Sequence, residues 1–184
     1  MGQDARIRYT KMVIQESFVS TLKEKPLTKI TVKELCEKAE INRATFYKYY
    51  EDVYDLLYQI ECGLLDDLKS AMQASLKSGR EKTLVHILEK VKNNTELYTT
   101  LFSKNGDANF PLEIFKTCYS LLSDNMSKLF PQYNQTQRGW VYTYIAQGSS
   151  GILSYWIADG MTESPKEVAA FIESMISKTI TGNS

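Results

Sequence analysis

The sequence predicts an all-α protein, and three observations carry that prediction. Apolar residues recur at helical rather than alternating spacing through almost the whole chain. Cap residues and glycine or proline stops punctuate that periodicity. Two short helical segments on either side of residue 40 are joined by a tight turn, the local pattern of a helix-turn-helix unit. The expected architecture is an N-terminal three-helix domain over residues 1–51 and a helical bundle over 52–184. Together they make about nine helices.

Taken in order, residues 5–24 place Ile7, Met12, Ile14, Phe18 and Leu22 on or near one face, and the helix ends before Pro26. Thr31-Val32-Lys33-Glu34 reads as a capping box ahead of Leu35, with hydroxyl and carboxylate satisfying orphan amides reciprocally. That second helix ends near Ala39. Ile41 is expected to be buried at the turn, and Asn42 to cap a third helix reaching Tyr50. Asp52 caps a long fourth helix to about Ser78, where Gly79 stops it.

Residues 80–93 and 94–104 read as two further helices, with Asn105-Gly106-Asp107 as a loop. A helix from about Asn109 to Phe130 ends at Pro131, and another from about Gln135 to Asp159 ends at Gly160. Within the latter, Val141–Ile145 has strand-like residues but no flanking turn signals, so it reads as helix. Ser164-Pro165-Lys166-Glu167 combines an N-cap, an N1 proline and an N3 glutamate, and opens a last helix to about Ile180.

The 22 cations and 22 acids of the chain balance, but not locally. Residues 1–50 hold ten Lys or Arg against six Asp or Glu, a net +4, and the remainder carries −4. A basic head on an acidic body is the asymmetry of a nucleic-acid partner, although four charges is a small excess that chance can also supply. Cys36, Cys62 and Cys118 lie far apart with no Cys-x-x-Cys or Cys/His spacing, so buried thiols in a reducing cytoplasm are expected and no metal site. The N-terminus alternates charged and apolar residues, unlike a signal peptide, and Arg6 breaks a myristoylation motif after Gly2. No apolar run approaches membrane-spanning length.

The informative stretch is Asn42-Arg43-Ala44-Thr45-Phe46-Tyr47-Lys48-Tyr49-Tyr50. Arg43 and Lys48 can neutralise phosphates or reach guanine edges. Thr45 can donate to a phosphate or touch a thymine methyl, and the small Ala44 lets a helix sit close to base edges. Tyr47 and Tyr49 carry hydroxyls suited to phosphate oxygens. Phe46 and Tyr50 are four apart and should pack inward on Ile14, Phe18 and Leu35. The competing reading, that all four aromatics are core, is weak for Tyr47 and Tyr49, because so short a helix cannot bury every face.

Thr31–Ala39 followed by Ile41–Tyr50 resembles the DNA-binding domain of the TetR-type transcriptional regulators, most specifically in Thr45-Phe46-Tyr47-Lys48-Tyr49-Tyr50. The resemblance covers about residues 8–65; beyond that it lies only in the all-helical layout. It implies a DNA-binding domain followed by a ligand-binding and dimerisation domain. It also implies a homodimer on a palindromic double-stranded operator, with a small-molecule effector, no cofactor and no membrane. By position, Thr31 and Lys33 become phosphate contacts. Arg43, Ala44, Thr45 and Lys48 become base-edge or groove contacts, Tyr47 and Tyr49 phosphate contacts, and Asn42 opens the recognition helix. One departure stands out: Val53, among Glu51, Asp52 and Asp55, occupies the position where the family usually has a phosphate-anchoring lysine.

In the body, aromatic residues are dense, and Phe102, Phe115, Tyr119, Trp140 and Tyr144 are candidates for lining an apolar effector pocket. For any one of them plain core packing is the simpler reading. Gln147-Gly148-Ser149-Ser150-Gly151 sits inside a helix, where each glycine costs roughly 1 kcal/mol against alanine. Small residues at Ala146, Ser150 and Ser154 would let another helix approach, and the resemblance implies a four-helix dimer interface. Gln147, Gly148, Ser150, Gly151, Ser154, Phe171 and Met175 are its candidates. The alternative is a kink at 148–151. Tyr155–Met161 with Glu163-Ser164-Pro165 also resembles a family subgroup that includes regulators of dihydroxyacetone use in Gram-positive bacteria.

An enzyme finds little support. His86 is the only histidine, no nucleophile elbow or phosphate loop occurs, and the adjacent Asp66 and Asp67 point to different helix faces. The expectation is a ligand-responsive repressor. Its alternative is a module with weak or no DNA binding that acts through a partner regulator.

Overall fold

A computed structural model describes residues 3–75, 80–120 and 130–181, and every regular element among them is helical. Helix α1, Gln3–Glu24, buries Ile14, Phe18 and Leu22, each four residues from the next. Met12, expected on this face, is 45% exposed. Two residues from Ile14, it is turned roughly 200° around the helix axis. After a 3-10 turn at Leu27–Lys29 come α2 (Val32–Lys38), α3 (Arg43–Tyr47) and the long α4 (Val53–Ser75). The predicted end of α4 at Ser78 and Gly79 lies outside the described residues.

The chain divides into two compact units. One comprises Met1–Leu64 with Thr99–Ala108, and the other Leu65–Tyr98 with Asn109–Ser184. The boundary predicted after residue 51 falls at the start of α4, whose first three turns belong to the N-terminal unit.

That unit also recruits a distant piece of chain. Helix α6, Thr95–Leu101, ends three residues before the predicted 104. The Ser103 hydroxyl takes the Thr100 carbonyl at 2.7 Å and receives the Asn105 amide at 3.2 Å, so side-chain bonds replace the helical ones. The turn then fastens onto α1. Asn105 Nδ2 donates to the Leu22 and Lys23 carbonyls at 3.0 and 3.4 Å, and Leu27 N donates to Asn105 O at 3.4 Å. These are carbonyls that the end of α1 would otherwise leave unsatisfied. Gly106 has to be glycine here, since a Cβ would stand 2.0 Å from the Leu101 oxygen.

In the C-terminal unit, α5 (Arg80–Asn93) packs on α9 (Pro165–Thr181), and α7 (Phe110–Ser120) on α8 (Gln135–Ala158). The remainder of the helix predicted to reach Phe130 lies outside the described residues. Phe130 and Ile145 form a small core with Tyr133, Val141, Tyr142 and Ile176 around them. Lys92 Nζ donates to Met161 O at 2.9 Å and Glu163 O at 3.3 Å, tying α5 to the turn before α9. The predicted stop of α8 and the predicted start of α9 both hold. Ser164 and Glu167 form a reciprocal cap at 3.3 and 2.8 Å, and Gly160 takes the left-handed conformation (φ 81°) after α8. An unpredicted capping box, Asn134 with Gln137, opens α8. Helix α8 runs through Gly148 and Gly151 without a break.

Glu61, on α4 within the N-terminal unit, is half-buried, and its Oε1 has no hydrogen-bond partner. Burial pushes the carboxyl from its usual 4.5 up to about 7, and the Asp107 charge adds to the push. Between those two values the native state keeps a proton that the unfolded chain has lost. Stability therefore falls as pH rises through that window, and the loss is complete above about 7. Glu61→Gln is expected to melt with the native chain near pH 4 and a few degrees above it at pH 8. A melting difference that does not change with pH would rule the assignment out.

Candidate nucleic-acid interface

The candidate residues start on α2, which two lysines fix against α1. Lys25 Nζ meets Glu34 Oε2 at 2.5 Å. Lys38 Nζ donates to Ser20 Oγ at 2.8 Å and lies 3.8 Å from Glu24. Each partly exposed pair contributes little, about 0–1 kcal/mol, but together they fix orientation. Thr31 caps α2 as expected, its hydroxyl accepting from Glu34 N at 3.3 Å. Only this half of the predicted capping box forms, because Lys25 has claimed the Glu34 carboxylate.

The turn after α2 is a Schellman motif: Ile41 N donates to Cys36 O at 3.0 Å and Glu40 N to Glu37 O at 3.3 Å. The motif needs a left-handed residue, and Glu40 supplies it at φ 53° where glycine is the usual choice. Ile41, predicted to be buried, is only half-buried. Beneath the turn, burial pushes the Cys36 thiol up, as for an inert core cysteine. Cys62 is half-buried, and Cys118 has its side chain outside the described residues.

Helix α3 has five residues, fewer than predicted, and its first turn depends on one side chain. Asn42 Oδ1 accepts from Thr45 N at 2.7 Å and from Thr45 Oγ1 at 2.9 Å. The Thr45 hydroxyl proton is thus committed to the cap. What Thr45 offers outward is its methyl group and its oxygen lone pairs. Phe46 and Tyr50 are buried, with ring centroids 5.5 Å apart. Asn42, Arg43, Ala44, Tyr47 and Lys48 are exposed, Tyr47 by 56%, and Tyr49 is half-buried. Thr31, the N-cap, and Lys33, two residues on, are exposed at the start of α2. All nine sequence-predicted residues therefore belong to one unit, with Phe46 and Tyr50 turned inward from them.

The start of α4 revises the reading of Val53. Val53 is buried, 6% exposed, so a lysine there would have to leave the core to reach solvent. The acids beside it cap α4. Asp52 Oδ1 accepts from Tyr54 N and Asp55 N, both at 2.8 Å, and Asp55 Oδ2 accepts from Glu51 N at 2.9 Å. At a helix N-terminus the amide dipoles offset part of their negative charge.

In the C-terminal unit the predicted residues separate. Phe115 is buried, whereas Trp140 and Tyr144, expected beside a pocket, are 67% and 64% exposed. Phe102 is half-buried and belongs to the N-terminal unit, and the side chain of Tyr119 lies outside the described residues. Trp140, Tyr144, Gly148, Gly151 and Tyr155 recur every three or four residues as one exposed row on α8. Gln147 is exposed on the same helix, and Phe171 and Met175 are exposed on α9. A Cβ added at Gly148 or Gly151 would meet nothing within 4 Å. Ser150 is buried and donates to Gln147 O at 3.0 Å, Ala146 is buried, and Ser154 is half-buried. The Ala146–Ser150–Ser154 row thus serves packing within the chain, and the glycines form the open surface. Sequence reasoning missed Tyr155, whose spacing from Tyr144 and Gly151 signals it. Among the described residues there is no metal-holding cluster, and no helix is long and apolar enough to cross a membrane.

Residues 80–178 match the family described as a transcriptional regulator C-terminal region of TetR type. The chain belongs to the TetR family of transcriptional regulators. An uncharacterized HTH-type transcriptional regulator, YxbF, of Bacillus subtilis (strain 168) is 22% identical over 172 residues. The alignment takes in 90% of this chain but 44% of YxbF, so the chain spans less than half the length of that relative. A TetR transcriptional regulator from Streptococcus agalactiae 2603V matches with a TM-score of 0.70 and 22% identity, over 95% of this chain and 97% of that one. The dihydroxyacetone kinase operon activator DhaS matches with a TM-score of 0.63 and 20% identity, over 94% and 96%. The fatty acid degradation regulator FadR of Bacillus halodurans gives 0.65 and 14%, over 94% and 98%. These structural likenesses establish a shared fold.

The strained turn yields a direct test. Glu40→Gly is expected to raise unfolding stability by up to about 1 kcal/mol, since the relieved left-handed strain exceeds the added chain entropy. A urea titration reads this, and a loss of stability would contradict the turn geometry.

Proposed function

We propose that this chain is a homodimeric, ligand-responsive DNA-binding regulator, most simply a repressor released from a palindromic operator by a small-molecule effector. The observation that carries the proposal is α3. Arg43, Ala44 and Tyr47 are exposed in one short helix whose Phe46 is in the core, and Lys48 is exposed at its C-cap. Arg43 offers a two-pronged donor for guanine, and Ala44 and the Thr45 methyl offer apolar contact for thymine. Thr31, Lys33, Tyr47 and Tyr49 are the proposed phosphate contacts, and Asn42 the cap that holds the helix start.

Two recognition helices read a palindrome only if a dimer spaces them about 34–36 Å apart, one DNA turn. The exposed aromatic row of α8, with Phe171 and Met175 on α9, supports a second copy of the chain as the covering partner. Gly148 and Gly151 would allow the close approach, and Gln147 and Ser154 would lie at its edge. An apolar effector held in the C-terminal unit beside buried Phe115 would shift that spacing. A coupling of about 1–3 kcal/mol changes operator affinity about 5–150-fold.

Two observations favour a second reading, a co-activator or interaction module with weak or no DNA binding that acts through a partner regulator. The structural neighbour DhaS is named as an operon activator, and residues 51–68 contain no Lys or Arg. Duplex affinity measured against salt separates the readings. A direct reader loses about 0.9 log units of affinity per log unit of salt for each phosphate neutralised. A module acting only through a partner shows no such slope.

Two variants test the assignments. Arg43→Ala is expected to lose about 1–3 kcal/mol of discrimination between a selected operator and random duplex, measured by competition binding. Equal discrimination would remove Arg43 from base readout. Gly148→Leu is expected to keep a folded chain, because the site is open and leucine favours helix by roughly 1 kcal/mol over glycine. It should sediment as a monomer where the native chain sediments as a dimer. A native-size dimer of this variant would move the interface elsewhere.

A further inference from the structure

The end of the recognition motif lacks cations of its own. From Glu51 to Leu68 the sequence has no Lys or Arg, and Glu51, Asp52 and Asp55 follow directly on Tyr50. Positive charge nevertheless reaches this end from α1. Lys11 Nζ lies 5.7 Å from the centroid of the Tyr49 ring and 5.8 Å from that of Tyr50. Lys48 Nζ lies 5.6 Å from the Tyr49 ring as well. All three distances fall within the range at which a ring quadrupole attracts a cation.

An aromatic ring holds a lysine differently from a carboxylate. It restricts the long side chain without cancelling its charge, so the ammonium stays available to an anion. No carboxylate pairs with Lys11 or Lys48 among the described residues, whereas Lys25, Lys33, Lys38 and Lys69 each have one. Two like charges drawn to one ring repel each other. An anion beside them relieves that repulsion, and the ring has already met part of the entropic cost of ordering the side chains.

We infer that Lys11, held with Lys48 at the Tyr49 ring, is a phosphate anchor for duplex DNA contributed by α1. The inference rests on the DNA-binding reading above and deepens it. Lys11 and Tyr49 act as one unit: the lysine carries the charge and the ring sets its position. Arg8, exposed one turn earlier on the same side of α1, extends the charge along the helix.

The test uses the full chain and a mixed-sequence 30-base-pair duplex, with affinity measured across a salt series. For Lys11→Gln the slope of log affinity on log salt is expected to fall in magnitude by about 0.9 per bound protomer. Lys11→Arg should keep the native slope. Tyr49→Leu should lose part of it while leaving both lysines in the chain. Lys69→Gln, which removes an exposed lysine paired with Asp66, should leave it unchanged. Thermal melts of each variant separate a lost contact from a lost fold. A native slope in Lys11→Gln overturns the anchor and leaves the DNA-binding reading intact. A native chain with no salt-dependent binding overturns both.

Discussion

A helix of five residues has no stability of its own in water, because nucleation costs more than one turn of hydrogen bonds returns. Helix α3 exists because Phe46 and Tyr50 are buried at its inner side, where α1 contributes Ile14, Phe18 and Leu22 and α2 contributes Leu35 to the core. Burying each large side chain is worth about 1.5–3 kcal/mol. The rest of the N-terminal unit depends on that anchoring. With two residues of the motif fixed inward, the helical period leaves Arg43, Ala44 and Tyr47 outward. The Asn42 cap fixes where the helix begins, and so which residues those are.

The same unit shows side chains doing two jobs at a cost to the simpler pattern. Glu34 leaves its capping box to bind Lys25, exchanging a local bond for one that joins two helices. Glu40 accepts left-handed strain so that α2 can end and α3 begin within four residues. Asp52 caps the first turn of α4 as its sequence predicts, and Asp55 accepts from the Glu51 amide beside it. Asn105, far along the chain, closes the C-terminal end of α1. Glu34 and Asn105 place in tertiary contacts hydrogen bonds worth about 1 kcal/mol each.

The C-terminal unit makes a different use of small residues. Ala146 and Ser150 are buried within the chain, and the glycines between and beyond them face outward. Helix α8 tolerates Gly139, Gly148 and Gly151 in its interior because its other face is anchored by Ile145, Leu153, Trp156 and Ile157. The left-handed Gly160 with buried Met161 after it ends the helix as Glu40 and Ile41 end α2. One turn geometry thus recurs with and without glycine, and only the glycine version was legible in the sequence.

The sequence alone determined the all-α class, most helix starts and stops, the inward pair Phe46 and Tyr50, and the stretch proposed for recognition. These follow from local chemistry: caps, prolines, glycines and the helical period act within a few residues. Tertiary structure decided the rest. It exposed Met12, Trp140 and Tyr144, buried Val53, shortened α3 and α6, and brought Lys11 to Tyr49. Whether an apolar face is covered, and which distant lysine meets a ring, depends on how helices pack. No spacing within a single helix encodes that.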